Sequence, residues 1–440
     1  MSSSSHHQIL LSGFYIPTHI IVQNFSYLDV QHKVKIAQVC HNWRNIVYDD
    51  VMWKDTKVKV FMEDIDEQYL DTIIPSLVRR NISEVKLHLA NYDNWASNSI
   101  HNLNKLFQEM TTLKSIKIHQ KDFEDDSRID ACIAQFPFHH ARNLIRIDLR
   151  LHCFRQAIVD KLDFILQCKN LEIFILEKHS RSDQLESAAC DNILLAITRH
   201  LKKLRYLEIP TYGLTDLGIG YITGCLSIPG SPNLQNLHPQ LEILILRHCI
   251  GLTDESLQHV SSGLNHLKLL EINFSREITN RGVGYLGKMK CLQELILNGC
   301  YGVNDECVKL LSEAGSQIQH FAAESGSLGD KALQYFAQNQ FPLKELKICY
   351  WQITDNGICQ LVKSGKEIQS LTMWGLDSIT DSALEIIAEK LPSLRHINII
   401  DCKGVTRKAL QKLGERSIGK LVVMSTRFAI QSTIKSKYLM

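Results

Sequence analysis

Residues 241–266 read LEILILRHCIGLTDESLQHVSSGLNH, a stretch whose apolar side chains change rhythm part-way along. Leu241, Leu244 and Leu246 open it in an LxxLxL pattern, and Thr253 and Asp254 follow ahead of a run with helical spacing. The segment predicts one short strand, a corner, and a helix whose N-terminus is capped by Thr or Asp.

The pattern recurs. Segments starting at Leu241, Leu267, Leu292, Ile318, Leu343, Ile368 and Leu394 are separated by 26, 25, 26, 25, 25 and 26 residues. Their strands read LEILIL, LKLLEI, LQELIL, IQHFAA, LKELKI, IQSLTM and LRHINI, and each is followed by a landmark such as LTDESL, ITNRGV, VNDECV or ITDSAL. A period in this range is that of leucine-rich repeats, whose units cannot close their own cores and bury them by stacking. The first, fourth and sixth residues of each strand are expected inside. Cys249, Cys300 and Cys402 share the ninth position, where a thiol fills the strand-to-helix corner as a small hydrophobe. The units resemble the cysteine-containing class of leucine-rich repeats.

Looser copies extend upstream: VKLHL at 85–89, then LKSIKI, LIRIDL, LEIFIL and LRYLEI beginning at Leu113, Leu144, Leu171 and Leu204. The step from Leu204 to Leu241 stretches to 37 residues, and the excess, IPGSPNLQNLHPQ, reads as an inserted loop. The expected fold class is α/β, a leucine-rich-repeat solenoid with a curved parallel sheet and helices on the convex side, preceded by a small all-helical domain. The expected boundaries are a disordered 1–13, a helical domain at 14–60 and degenerate repeats at 61–240 with the loop near 225–240. Regular repeats at 241–425 and a tail at 426–440 complete the chain.

Gly282, Gly284 and Gly287 spell GxGxxG with Asp305 downstream, a pattern associated with dinucleotide binding. The repeat alignment puts Gly284 on a covering helix, where sister units carry Gln258, Lys309, Gln334 and Gln360, and removes that reading.

The 440 residues carry 49 basic and 47 acidic side chains, a formal net charge of +2, so no global field draws the chain to nucleic acid or an anionic membrane. No apolar run reaches the ~20 residues of a membrane span, and MSSSSHHQ is not a signal peptide, so the expected location is cytoplasmic or nuclear. The sequons at Asn24, Asn81 and Asn273 are discounted on that ground. Thirteen cysteines without CxxC pairs indicate neither a metal site nor a redox motif, and no cofactor is expected. No catalytic constellation emerges, and His139, His140 and Cys132 lack an orienting partner.

Residues 16–53 follow a different rule. Ile36, Val39, Cys40, Trp43, Ile46 and Val47 form one helical stripe, and Ile16-Pro17 precedes Ile20, Ile21, Phe25 and Leu28 in a second helix opened by proline. Some 45 residues are near the lower limit for a self-sufficient core, so this apolar surface is expected to dock on the solenoid, on another protein, or on both. The stretch IPTHIIVQNFSYLDVQHKVKIAQVCHNWRNIVYDDVMW resembles an F-box, with Ile16-Pro17 at the opening Leu-Pro, Phe25 and Leu28-Asp29 in the first helix region, and Trp43 and Trp53 at the close. Together with the repeats it resembles the F-box/leucine-rich-repeat proteins, the Partner-of-paired type above all.

That resemblance implies a substrate receptor. The F-box would bind the Skp adaptor, which links it to a cullin and a RING subunit, and the repeats would hold a protein substrate for ubiquitination and proteasomal degradation; transcription factors are among the implied targets. Adaptor contacts would fall on Ile16, Pro17, Ile20, Phe25, Lys35 and Trp43. Ile16 and His19 depart from the usual Leu and acidic residue. Trp53 is expected to cement the helices onto the first repeat.

The third, fifth and seventh residues of each strand face away from the core. Phe274, Tyr350 and Trp374 are candidate substrate anchors there, and Glu271, Glu294, Glu324 and Glu345 lend an acidic lean suited to a basic segment. The competing reading is a repeat scaffold without a ligase role, which differs only in what residues 14–53 do.

Overall fold

The computed structural model describes residues 8–11, 14–28, 30–49, 52–53, 57–61, 75–89, 108–120, 142–151, 167–178, 187–210, 213–227, 241–339, 341–416 and 422–424. The chain divides into two compact units, residues 1–189 with 196–208 and residues 190–195 with 209–440.

The first unit opens on a hairpin, β1 (Gln8–Leu11) antiparallel to β2 (Phe14–Pro17), with Leu11 opposite Phe14. Residues 8–11, expected within a disordered segment, form a strand instead: QILL and FYIP are two apolar runs close enough in sequence to satisfy each other's backbone groups. Three helices follow, α1 (Thr18–Ser26), α2 (Val30–Ala37) and α3 (His41–Val47). The single stripe through Ile36 and Val47 is thus split. Cys40 takes extended dihedrals (φ −157°, ψ 166°) and caps α3, its Sγ accepting from Trp43 N at 3.4 Å. Val39, on the predicted stripe, is 62% exposed, because the break at 38–40 rotates it out of register.

The sheet begins earlier than the expected boundary at residue 60. Strands β3 (Lys57–Phe61), β4 (Glu84–Leu89), β5 (Ser115–Gln120), β6 (Arg146–Leu151), β7 (Ile173–Lys178) and β8 (Tyr206–Pro210) pair in sequence order, all parallel. Val85, Ile116, Ile147 and Phe174 are fully buried on one face. On the other, Asp148 is ringed by Arg146, Arg150 and His119, whose charges and hydrogen bonds hold its carboxyl well below the usual range against the opposing effect of burial.

The second unit holds the regular repeats. Strands β9 (Ile243–Arg247), β10 (Leu269–Asn273), β11 (Glu294–Asn298), β12 (His320–Glu324), β13 (Glu345–Cys349), β14 (Ser370–Trp374), β15 (His396–Ile400) and β16 (Val422–Met424) are parallel neighbours in chain order. Helix α4 (Ser187–His200) spans the unit boundary; α5 (Asp216–Thr223), α6 (Asp254–Gly263), α7 (Asn280–Leu286), α8 (Asp305–Glu313), α9 (Asp330–Gln338), α10 (Asp355–Leu361), α11 (Asp381–Lys390) and α12 (Arg407–Arg416) follow. The inward positions are as the pattern requires, with Leu241, Leu244 and Leu246, and Ile318, Phe321 and Ala323, all 1% exposed or less. Each such aliphatic is worth about 1.5–3 kcal/mol of burial.

A ladder of caps, acidic at most steps and made by Asn280 and Asn304 at one, links successive repeats. Thr253, Thr279, Thr354 and Thr380 cap their own helices, their hydroxyls accepting from the backbone N–H two residues on. The same threonines donate, through N–H and Oγ1, to the Asp that opens the preceding helix: Asp216, Asp254, Asp330 and Asp355. A small residue is needed two positions after the first residue of the capped helix. A Cβ on Gly282 would collide with the Asp254 carboxylate, which is the structural use of the first glycine of GxGxxG. Cys249 and Cys300 are fully buried and Cys402 is 9% exposed; burial pushes the Cys300 thiol up to about 12.

Candidate functional site

Two surfaces need a chemical account. The first is the helical N-terminus. Pro17 ends β2 and, with φ −59° and ψ 137°, caps α1 without a side-chain hydrogen bond. Ile21 and Phe25 point inward, whereas Ile20 is 40% and Tyr27 80% exposed. Trp43 of α3 is half-buried and meets Phe25 edge-on, with centroids 5.0 Å apart and planes at 75°. Its indole Nε1 is buried and has no hydrogen-bond partner among the described residues. Lys35 is exposed in the last turn of α2. Ile16 lies in β2, its side chain outside the described residues. Of these residues Ile20 and Lys35 are exposed, Pro17 and Trp43 are half-buried, and Phe25 is buried.

Trp53 behaves differently. It is 5% exposed and its Nε1 donates to Val47 O at 2.5 Å. Lys33 lies 5.4 Å over its ring while donating from Nζ to Met52 O at 2.6 Å. The Arg80 guanidinium, on the first repeat, sits 4.8 Å from the same ring and 5.1 Å from Tyr48. Lys33 and Arg80 went unnoticed in the sequence. A lysine three and four residues ahead of Ile36 and Ala37 falls on the buried side of α2, and that conflict of charge with position was the available signal.

The second surface is the side of β9–β15 turned away from the helices. Glu271 lies on it but is only 5% exposed, accepting from Asn273 Nδ2 at 2.7 Å and lying 3.7 Å from Arg247 Nη1. The flanking Ile245 and Ile296 are also buried, so this part of the face is closed over. Phe274 and Tyr350 stand at strand-to-helix corners, 41% and 43% exposed, both at φ 58°. Phe274 stacks on His248 at 5.4 Å, and Tyr350 meets Trp374 at 5.3 Å. Each lies on a glycine of the next repeat: a Cβ on Gly299 would come within 2.7 Å of Phe274 Cδ1, and one on Gly375 would strike the Tyr350 ring.

Glu345 accepts from His320 Nδ1 at 3.2 Å and from Lys347 Nζ at 3.1 Å. The His320 hydrogen bond, with help from Lys347 and against burial, holds its carboxyl at about 2. Glu294, half-buried across the same depression, is pushed upward by burial, with Glu345 and Glu271 reinforcing and His320 and Lys347 opposing. The Pro-rich insertion at 228–240, and His139, His140 and Cys132, lie outside the described residues. Among the described residues no group of three or more His, Cys, Asp or Glu is placed to hold a metal, and no helix is long and apolar enough to cross a membrane.

Comparison with known proteins agrees with this division. Residues 14–57 match the F-box-like family model. F-box/LRR-repeat protein 12 of Bos taurus is 22% identical over 326 residues, 58% of this chain and 94% of that protein. F-box protein SKIP19 of Arabidopsis thaliana is 25% identical over 217 residues, 49% of this chain and 61% of that one. A chain in the crystal structure of the yeast Rad7–Elc1 complex has a similar fold, with a TM-score of 0.51, 14% identity and coverage of 92% and 93%. An F-box-like domain at the N-terminus and leucine-rich repeats behind it make this chain a homologue of the F-box/LRR-repeat proteins.

Proposed function

We propose that the chain is the substrate-recognition subunit of an SCF-type ubiquitin ligase. Its F-box-like domain takes the Skp adaptor, and through it a cullin and a RING subunit, while the repeats hold a protein substrate, with transcription factors the implied class. The chain contributes positioning, and the bond chemistry belongs to its partners.

The observation that carries this reading is the surface around Trp43. A half-buried indole packed on Phe25, its desolvated N–H without an acceptor among the described residues, in a domain that also leaves Ile20 exposed, fits an interface short of its other half. The proposed adaptor contacts are Ile16, Pro17, Ile20, Phe25, Lys35 and Trp43. The proposed substrate contacts are Glu271, Phe274, Glu294, Glu345, Tyr350 and Trp374, with Glu271 acting through the groups that cover it. That a similarly folded chain was crystallised in the Rad7–Elc1 complex supports a fold that works with a bound partner.

The test is co-expression with the Skp adaptor. Wild type co-purifies with it, and Trp43→Ala does not while its far-ultraviolet dichroism stays unchanged; equal co-purification overturns the assignment. If wild type never binds an adaptor, and removal of residues 14–53 leaves cellular partners unchanged, the chain is a scaffold without a ligase role.

A further inference from the structure

Rows of side chains cross β11–β14 in register. Glu294, His320, Glu345 and Ser370 form one, Ile296, Ala322, Lys347 and Thr372 the next, and Asn298, Glu324, Cys349 and Trp374 the third. Ala322 is the small member of its row, and over it lies a shallow, open depression bounded by Glu294, Ile296, His320, Glu345 and Lys347.

The charges around this depression are unequally satisfied. His320 and Lys347 are both committed to Glu345. The Glu294 carboxylate, facing them, makes no hydrogen bond or ion pair with any described residue, and burial raises it above the ordinary range. A half-buried carboxylate short of counter-charge, above a floor of Ala322 and Ile296, matches a long aliphatic side chain that ends in a cation. Two strands along, the exposed Tyr350 ring meets Trp374 at 5.3 Å, and burial, reinforced by the charges of Glu324 and Asp401, raises the Tyr350 phenol. Ring faces beside carboxylates favour a cation as well.

We propose that this face receives an extended basic segment of a protein substrate, one lysine or arginine lying over Ala322 with its head on Glu294 and a second stacking on Tyr350 and Trp374. The inference rests on the repeats being the substrate-holding part and assumes nothing about the adaptor. The two subsites are two strands and two residues apart, roughly 12 Å, or three to four residues of extended chain at about 3.3 Å each.

The probe is a fluorescein-labelled Gly/Ser peptide carrying two arginines four residues apart, measured by fluorescence anisotropy on the full-length chain. The controls replace both arginines with glutamine or with glutamate. The arginine peptide is expected to bind at least about tenfold tighter than the glutamine peptide, and more weakly as salt is raised. Glu294→Gln, which keeps shape, and Ala322→Leu, which fills the depression, each weaken it about tenfold; Glu313→Gln, exposed on α8, does not. Equal binding of the arginine and glutamine peptides, no binding of either, or wild-type affinity in both Glu294→Gln and Ala322→Leu overturns the proposal. Trp43→Ala, expected to lose the adaptor, should bind the peptide as wild type does, so failure of the ligase assignment and failure of this site register separately.

Discussion

Replacing Asp191 by alanine should loosen one helix N-terminus far more than the equivalent change at Asp254. Asp191 is 7% exposed, and its carboxylate accepts from Thr215 N at 3.0 Å, Thr215 Oγ1 at 2.7 Å and Gly218 N at 3.1 Å. Thr215 in turn caps α5 through Leu217 N at 3.2 Å, so the carboxylate also orients the capping hydroxyl. The substitution strands two backbone N–H groups, that of Gly218 in a buried residue. Hydrogen bonds to a charged group are worth about 1.5–3 kcal/mol each, and the carboxylate no longer buried returns part of that sum, leaving a net loss of roughly 3 kcal/mol. At ~1.4 kcal/mol per decade, the Thr215–Thr223 amides should exchange about a hundredfold faster. Asp254→Ala takes the acceptor from two donors of Thr279, in a more exposed setting, and should cost about 1–1.5 kcal/mol. Hydrogen exchange read by mass spectrometry distinguishes them. Unchanged protection in Asp191→Ala, or equal losses in the two variants, would refute the ladder as a source of repeat coupling.

Two further outcomes follow from the same geometry. Gly375→Ala places a Cβ against the Tyr350 ring at a residue whose φ is +65°, and should cost about 1–2 kcal/mol and displace Tyr350 from Trp374; an unshifted Trp374 emission with an unchanged urea midpoint would count against that packing. Glu345 has a folded-state value of about 2 against the usual 4.5, so its contribution is complete above 4.5 and is lost as pH falls through about 2. With its side chain 30% exposed, this is on the order of 2 kcal/mol. Glu345→Gln should flatten the acid side of the stability curve in that window, as followed by urea midpoints, and an unaltered acid limb would show that the His320 and Lys347 contacts contribute nothing.

What could be read from sequence was whatever repeats or stays local. The LxxLxL spacing placed the regular strands because inward positions are filled by the same side chains in every unit, and the Thr–Asp landmark marked the helix starts. The second function of that landmark was hidden: the group Asp254 caps is Thr279, 25 residues on, and proximity in the next repeat exists only once the solenoid is stacked. The break between α2 and α3 escaped for the opposite reason, since Val39 and Cys40 fit a helical stripe and only the capping of Trp43 N by the Cys40 thiol shows that the helix has restarted.

The free face of the sheet shows why position and accessibility must be argued separately. Glu271 and Ile296 occupy the same row as Ala322 and Lys347, yet Glu271 is closed in between Ile245, Ile296 and Arg247, and its charge is answered within the fold. Glu294 sits one row away with its nearest cations already taken by Glu345. Three of the four carboxylates behind the acidic lean therefore take different parts: Glu271 serves the fold, Glu345 binds its own histidine and lysine, and Glu294 is left short of a counter-charge. Of the three, it is the last whose energy a bound cation can lower most, because the desolvation cost is already met in the free protein and only the partner is missing.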